Sequence, residues 1–569
     1  MRTPAALRGR PALAPAPARS TRRRTLLAVA CVLVAFASIA GRLLQLAARG
    51  GGEFKLGFAE PLTRTYSRPD LLDRHGRLLA TDISVHSLYA DPQAILDLDE
   101  TVERLSAALS LDAAELRKTL GERGRRFVWV ARGLSPRQAK RAHDLGLPGL
   151  LFRNEPRRLY PMGALAGHSL GSVNIDNRGI AGIERMLDEA NQVEEGEGPA
   201  GTRRQPLRLS LDVGVQHAVG AELAAAMDRY AAFAAVGLIL DADSGEVLSA
   251  VSLPEVDPAR ATDWLDPLHA DRLLGGTFEL GSVFKTLTIA TALESGTADL
   301  DTLFDVRQPL IAGPYTITDL HPQGRPLSVR EIFLHSSNVG AGMMALKSGP
   351  ERQRAFLDRL GLLKPLHTEA GSVAAPLLPK HWGRAETITI AYGHGLALAP
   401  LQFAAAFATL INGGSSVTPT FLAQPEVGAA RQRTRLVSSA TSAKLREILR
   451  LNVTNSAGTG RRAEVEAYRV GGKTGTAELP SRGGYRKRAV ISSFIGAFPM
   501  DAPRYVTLVS LFEPQRGEGS PTHITAAQNA APVTARIIER VAPLLGVLPR
   551  RVETAASPGR EFDALRPAQ

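Results

Sequence analysis

Three short stretches of this 569-residue chain hold residue types that could together carry out acyl transfer. The first is Ser282-Val283-Phe284-Lys285, a hydroxyl and an amine three residues apart. It opens the apolar stretch Val283–Leu293, so a helix buried nearly all round is expected here, with Gly296 at its C-terminal end. Positions i and i+3 share a helix face, which brings Ser282 and Lys285 together. A serine in a first helical turn also has a free backbone N–H, aimed where an oxyanion would form. A serine hydroxyl is a poor nucleophile and needs a base. A free lysine, with pKa about 10.4, is neutral in only about one molecule in 2,500 at pH 7. Burial and a second nearby cation both lower that pKa; three units of depression would cost roughly 4 kcal/mol. The second stretch, Ser336-Ser337-Asn338, falls in a tight loop. A helix with a capping box from Ser328 to Glu331 precedes it, and a helical pattern from Val339 to Lys347 follows. The third is Lys473-Thr474-Gly475-Thr476, preceded by Gly471-Gly472; glycines in a strand mark close approach by a ligand or another backbone. Lys473 can supply the second cation.

Elements must bring these three stretches together across gaps of 54 and 137 residues. Leu207–Leu211 alternates as a strand should. Val236–Leu240 and Val247–Val251 read as a hairpin around Asp243-Ser244-Gly245-Glu246. Long apolar helices follow, and strands return near Val470, at Ile491–Phe498 and at Tyr505–Phe512. Strands first, helices in the middle and strands last is an α+β pattern, one sheet assembled from both ends. Residues 48–205 mix short strands with charged helices such as Val102–Leu120. The acidic Glu194–Gly198 and the basic Gly201–Arg204 suggest a closing loop or hairpin. The expected division is a tail at 1–24, a membrane helix at 25–47, a non-catalytic domain at 48–205, a catalytic domain at 206–548 and a tail at 549–569.

The net charge of +12 suggests nucleic acid until it is located. Seven arginines and no acid lie in residues 1–24, which leaves +5 for everything after them and argues against a basic nucleic-acid groove. Hydrophobic residues at 44% and charged residues at 22% exclude a disordered chain. Cys31 is the single cysteine, so neither an intramolecular disulfide nor a cysteine zinc site can form. Thr25–Gly41 is an uncharged run of 17 residues that Leu43–Leu46 extends past Arg42. It is just long enough to span a bilayer if Arg42 snorkels, and the preceding arginines place the N-terminus in the cytoplasm. A cleaved signal is the alternative, with an A-x-A site at Ala35-Phe36-Ala37.

The ordered set of S-x-x-K, S-x-N and K-T-G resembles the serine acyltransferases of the penicillin-binding protein family. Further boxes resemble its class B, high-molecular-weight branch. These are Arg68-Pro69-Asp70-Leu71-Leu72-Asp73-Arg74-His75-Gly76 (with Pro69 where glycine is usual), Arg158–Pro161, His168–Gly171 and Gly179–Glu184. Tyr392-Gly393-His394-Gly395 with Ala399–Gln402 resembles a box of the division-specific members. The resemblance covers roughly residues 60 to 540. It implies an antiparallel sheet with helices on both sides, behind a pedestal domain that the early boxes tie together. It assigns Ser282 as nucleophile, Lys285 as its base and Ser336 to proton relay. Asn338 would bind the substrate amide, and Lys473 and Thr474 its carboxylate. Gly475 would leave room beside the nucleophile, and the N–H groups of Ser282 and Thr476 would form the oxyanion hole. His394 is not expected to act as a base, since the family uses none. The implied activity is D,D-transpeptidation of peptidoglycan stem peptides ending in D-Ala-D-Ala, with penicillins as acylating inhibitors and no cofactor or metal. The implied setting is the outer face of the cytoplasmic membrane at the division septum, beside a polytopic glycan polymerase and other division proteins. Alternatives within the fold are an elongation-specific transpeptidase, a D,D-carboxypeptidase and a non-enzymatic β-lactam-binding scaffold. A class A β-lactamase is disfavoured: no Glu between residues 339 and 472 is followed three or four positions later by Asn. A bifunctional enzyme is disfavoured because the chain has no Glu-Asp dipeptide for a glycosyltransferase site.

Overall fold

The computed structural model describes residues 19–49, 65–122, 124–190, 194–196, 205–424, 433–481, 484–515 and 524–550. The stretches 1–18, 201–204 and 551–569, which hold most of the two expected tails and half of the expected hairpin, lie outside the described residues. The chain divides into two units at Arg64 and Thr65. Among the described residues the first contains a single helix, α1 (Arg19–Arg49), which begins six residues before the expected start at 25; no proline or glycine in Arg19–Arg24 opposes it. Its described side chains, among them Leu26, Leu33 and Phe36, are exposed. Among the described residues no helix is long and apolar enough to cross a membrane.

The second unit holds two hydrophobic assemblies. In the N-terminal one, β1 (Leu78–Ala90) pairs antiparallel with both β2 (Val128–Leu134) and β3 (Leu150–Leu159). Leu88, Ala90 and Val128 form a core with Val102, Leu105, Leu116 and Leu120. The single helix expected over Val102–Leu120 is two, Leu98–Leu109 and Ala113–Leu120. Ser110 turns left-handed at φ 58°, and Asp112 caps the second helix through its N–H at Glu115. The caps override a hydrophobic spacing that runs through both.

Three of the early boxes, through Arg68, Arg158 and Glu184, converge on one buried ion cluster. Both Arg68 and Arg158 reach Glu184, each through Nε at 2.7 Å. Arg158 also meets Asp82 at 3.1 Å, and its Nη2 donates to the Pro69 carbonyl at 2.8 Å. Pro69 therefore serves where glycine is usual, because the loop uses its carbonyl and not its missing N–H. The second half of the Arg68–Gly76 box fastens this domain to the next. Asp73 accepts the Val213 N–H at 3.3 Å, the Arg74 N–H donates to the Leu211 carbonyl at 2.9 Å, and His75 Nε2 lies 3.0 Å from Asp212. Of the strand expected over Leu207–Leu211 only Leu207–Arg208 pairs as a strand, in parallel with Leu71-Leu72; Leu209 bridges to Leu422 instead.

The catalytic-domain expectation of one sheet built from both chain ends holds. Its order is β6-β7-β8-β4-β5, from β4 (Ala234–Asp241), β5 (Val247–Leu253), β6 (Gly471–Ser481), β7 (Gly484–Phe498) and β8 (Tyr505–Phe512). All neighbours are antiparallel. Helices α2 (Val213–Tyr230) and α7 (Ala530–Leu544) cover one face, packing on Ile239, Phe494 and Val509. On the other face lie α3 (Lys285–Glu294), α4 (Val329–Leu334), α5 (Asn338–Ser348) and α6 (Pro400–Ile411). There Phe284, Leu287, Phe403 and Phe407 meet Ile495, Val506 and Leu508. Every residue of β4 and β8 is buried, as a sheet covered on both faces requires. The strand carrying K-T-G, β6, is at the sheet edge.

Candidate active site

Ser282 is not on the α-helix itself. It lies in a 3₁₀ turn, Gly281–Phe284, which leads into α3 at Lys285. The i, i+3 pairing survives because side chains three apart eclipse in a 3₁₀ turn. Lys285 Nζ is 2.9 Å from Ser282 Oγ. The Ser328–Glu331 capping box forms and starts α4. Next, Ser336 takes a left-handed φ of 56°, and α5 begins at Asn338 with Ser337 as its cap. This turn points three acceptors at one amine. Lys285 Nζ donates to the Ser336 carbonyl at 2.6 Å and to Asn338 Oδ1 at 2.7 Å, and Ser336 Oγ lies 3.0 Å away.

The third motif arrives on β6. Lys473 pairs with Ile495 in register, so its side chain points to the face that carries α3. Its Nζ donates to Thr459 Oγ1 at 3.1 Å and to the Thr474 carbonyl at 3.3 Å, and sits 5.6 Å from the Phe333 ring centre. Gly475 shares that face. A Cβ there would come within 2.4 Å of the Leu280 carbonyl oxygen, so only glycine lets the nucleophile's turn close on the strand. The expected residues Ser282, Lys285, Ser336, Asn338, Lys473, Thr474, Gly475 and Thr476 are thus gathered at the junction of the α3 turn, the α4–α5 loop and the edge strand.

The electrostatics follow from burial. Lys285 and Lys473 are both fully buried. Burial drives Lys285 well below the ordinary lysine range, and the Lys473 charge lowers it further, against an opposing pull from Asp319. Burial also lowers Lys473, to about 7. The geometry around Lys285 Nζ admits the neutral amine. Two of its four neighbours are carbonyl oxygens that can only accept, and a neutral amine has just two hydrogens to give them. In that form its one lone pair can accept the proton of the Ser282 or the Ser336 hydroxyl.

Residues 235–539 match the family model for the penicillin-binding protein transpeptidase domain, and residues 64–196 match the model for the penicillin-binding protein dimerisation domain. The chain is 37% identical over 490 residues to a "Probable peptidoglycan D,D-transpeptidase FtsI" from Caulobacter vibrioides, covering 84% of this chain and 82% of that protein. The chain belongs to the class B penicillin-binding proteins, FtsI type. It is also 27% identical to the "Peptidoglycan D,D-transpeptidase FtsI" of Escherichia coli K12, over 86% of this chain and 87% of that one. Among solved structures it shares the fold of a peptidoglycan synthetase from Bifidobacterium adolescentis, with a TM-score of 0.65 at 22% identity. That match covers 86% of this chain and 98% of the other.

Around the motifs of this penicillin-binding protein lie partners that no sequence pattern announced. Thr459 receives hydrogen bonds from both Lys473 and Thr474, the latter at 2.7 Å. Buried Asn452 holds Thr459 in turn, accepting its N–H at 3.1 Å and donating to the Gly472 carbonyl at 2.8 Å. Asp319 binds the α4–α5 loop, its Oδ2 accepting the Ser337 hydroxyl at 2.6 Å. These three residues are spread over loops and a helix interior, where single polar residues are ordinary. The backbone on either side of His394 is tied to the nucleophile's turn: the Gly281 N–H donates to the Gly393 carbonyl at 3.3 Å, and the Gly395 N–H to Glu279 Oε1 at 2.7 Å. Burial lowers the His394 pKa, which keeps the imidazole neutral at neutral pH.

Proposed function

We propose that this class B penicillin-binding protein cross-links septal peptidoglycan through an acyl-enzyme on Ser282, with Lys285 as proton acceptor. The observation that carries the reading is the Lys285 amine: buried, depressed in pKa, and already bonded to the two carbonyls its hydrogens can serve. Its lone pair takes the Ser282 proton as Oγ attacks the carbonyl of the penultimate D-Ala. The developing oxyanion accepts the N–H groups of Ser282 and Thr476. Collapse breaks the peptide bond, and the proton passes from Lys285, by way of the Ser336 hydroxyl, to the departing D-Ala nitrogen. A neighbouring stem's amine then attacks the ester and gives its proton to Lys285, which returns it to Ser282 Oγ. One amide is broken and one made, so the exchange needs no external energy source.

Substrate binding follows from the same atoms. Lys473 is an ammonium buried deeply enough to lose affinity for its proton. A carboxylate arriving beside it would restore that affinity, which suits it, with Thr474, to the stem's terminal carboxylate. Asn338 Oδ1 is bound to Lys285, leaving its amide N–H₂ for the substrate amide. As the edge strand of its sheet, β6 suits an extended peptide in the β-augmentation mode.

The proposed setting is one membrane crossing by residues 25–47, with the arginine-rich N-terminus in the cytoplasm and the catalytic domain outside. A glycan-polymerising membrane protein would pack on the small residues Ala35, Ala37, Ser38 and Gly41. N-terminal sequencing of the membrane-bound protein should read from the original start; a start near Phe36–Ser38 would remove the anchor. The septal role predicts that cells depleted of the protein grow as filaments. Depleted cells that become round would assign it to elongation instead.

A further inference from the structure

We propose that Asp319 is a positioning residue for the acyl-transfer reaction: its carboxylate clasps the start of α5 and supplies the counter-charge that sets how readily Lys285 takes up and releases the nucleophile's proton. The inference rests on the transpeptidase reading above.

The clasp is made of three bonds to three consecutive residues. Asp319 Oδ1 accepts the N–H of Asn338 at 2.6 Å and of Val339 at 3.0 Å, and Oδ2 accepts the Ser337 hydroxyl at 2.6 Å. Ser337 Oγ passes the restraint on, accepting the Gly340 N–H at 2.9 Å. The residue before this run, Ser336, is left-handed, a conformation that costs a side-chain-bearing residue about 1–2 kcal/mol. That conformation brings both its carbonyl and its hydroxyl to Lys285. The catalytic turn is therefore strained, and Asp319 is what pins its far side.

Lys285 faces Lys473 from β6, the N-terminus of α5 through Asn338, and the hydroxyls of Ser282 and Ser336; His394 also lies within electrostatic reach. A helix N-terminus carries about half a positive charge. As Lys285 becomes an ammonium it therefore meets two positive neighbours, and burial opposes it as well. Among the causes that act on Lys285, Asp319 alone raises its pKa. The same carboxylate neutralises the two leading N–H groups of α5.

The test is the pH profile of penicillin acylation from pH 5 to 9. Asp319→Asn keeps the shape and an acceptor oxygen while removing the charge. Lys285 should then give up its proton more easily, so the acid limb of the profile should move to lower pH by about one unit. The basic limb, which reports Lys473, should stay in place. Asp319→Glu keeps the charge but displaces the clasp. It should acylate more slowly with the acid limb where it was. An acid limb that stays put or rises in Asp319→Asn overturns the proposal, and so does a limb displaced in Asp319→Glu, which also decides the matter if the Asn variant fails to fold. Absence of any adduct in the unaltered protein would remove the transpeptidase reading itself. An unmoved limb in an enzyme that acylates normally removes only the role of Asp319.

Discussion

Lys285→Arg should lose penicillin acylation nearly as completely as Lys285→Ala, by a factor on the order of 10²–10⁴, the usual contribution of a general base. Arginine keeps the positive charge and can still donate to the Ser336 carbonyl and Asn338 Oδ1. It cannot release a proton in a protein, so it cannot accept one from Ser282. Second-order acylation rates by stopped flow or a fluorescent penicillin would decide the matter. A Lys285→Arg enzyme acylating at a near-normal rate would reduce Lys285 to an electrostatic anchor.

Ser282→Ala should abolish the covalent penicillin adduct altogether. Intact-mass spectrometry of the unaltered protein should show one adduct per chain, because no Glu between residues 339 and 472 is followed three or four positions later by Asn, the pattern a deacylating β-lactamase needs. An adduct that survives in Ser282→Ala would move the nucleophile elsewhere. Ser336 is the nearest other hydroxyl to the Lys285 amine, at 3.0 Å, and Ser336→Ala would then be the variant that loses the adduct.

Much of the site was legible because its chemistry depends on a few residue types at short range. A hydroxyl three positions before a lysine in an apolar run had to place the two together, and the glycines before and within Lys473–Thr476 had to mark a close approach. The capping box at Ser328 and Glu331 and the hairpin around Ser244-Gly245 were equally local. Errors came where a local cap or turn, or a strand partner elsewhere in the fold, overrode spacing. The Val102–Leu120 periodicity continued through a cap, and the Leu207–Leu211 alternation found only two residues of strand partner. The helix expected to carry Ser282 begins three residues later, at Lys285, where a 3₁₀ turn gives way to it.

By itself, then, the amino-acid sequence determined the reacting groups, their order along the chain, the α+β class and the family to which the three motifs point. Only the tertiary structure decided that Lys285 is buried beside Lys473, that Ser336 turns left-handed to offer its carbonyl, and that Asn452, Thr459 and Asp319 hold the motifs in place. The physical reason is range. Helix faces, caps and turns are set by neighbours within about four residues. A pKa shift or a clasp is set by whatever the fold brings within a few ångströms, and here those groups come from segments as far apart as residues 285, 319 and 473.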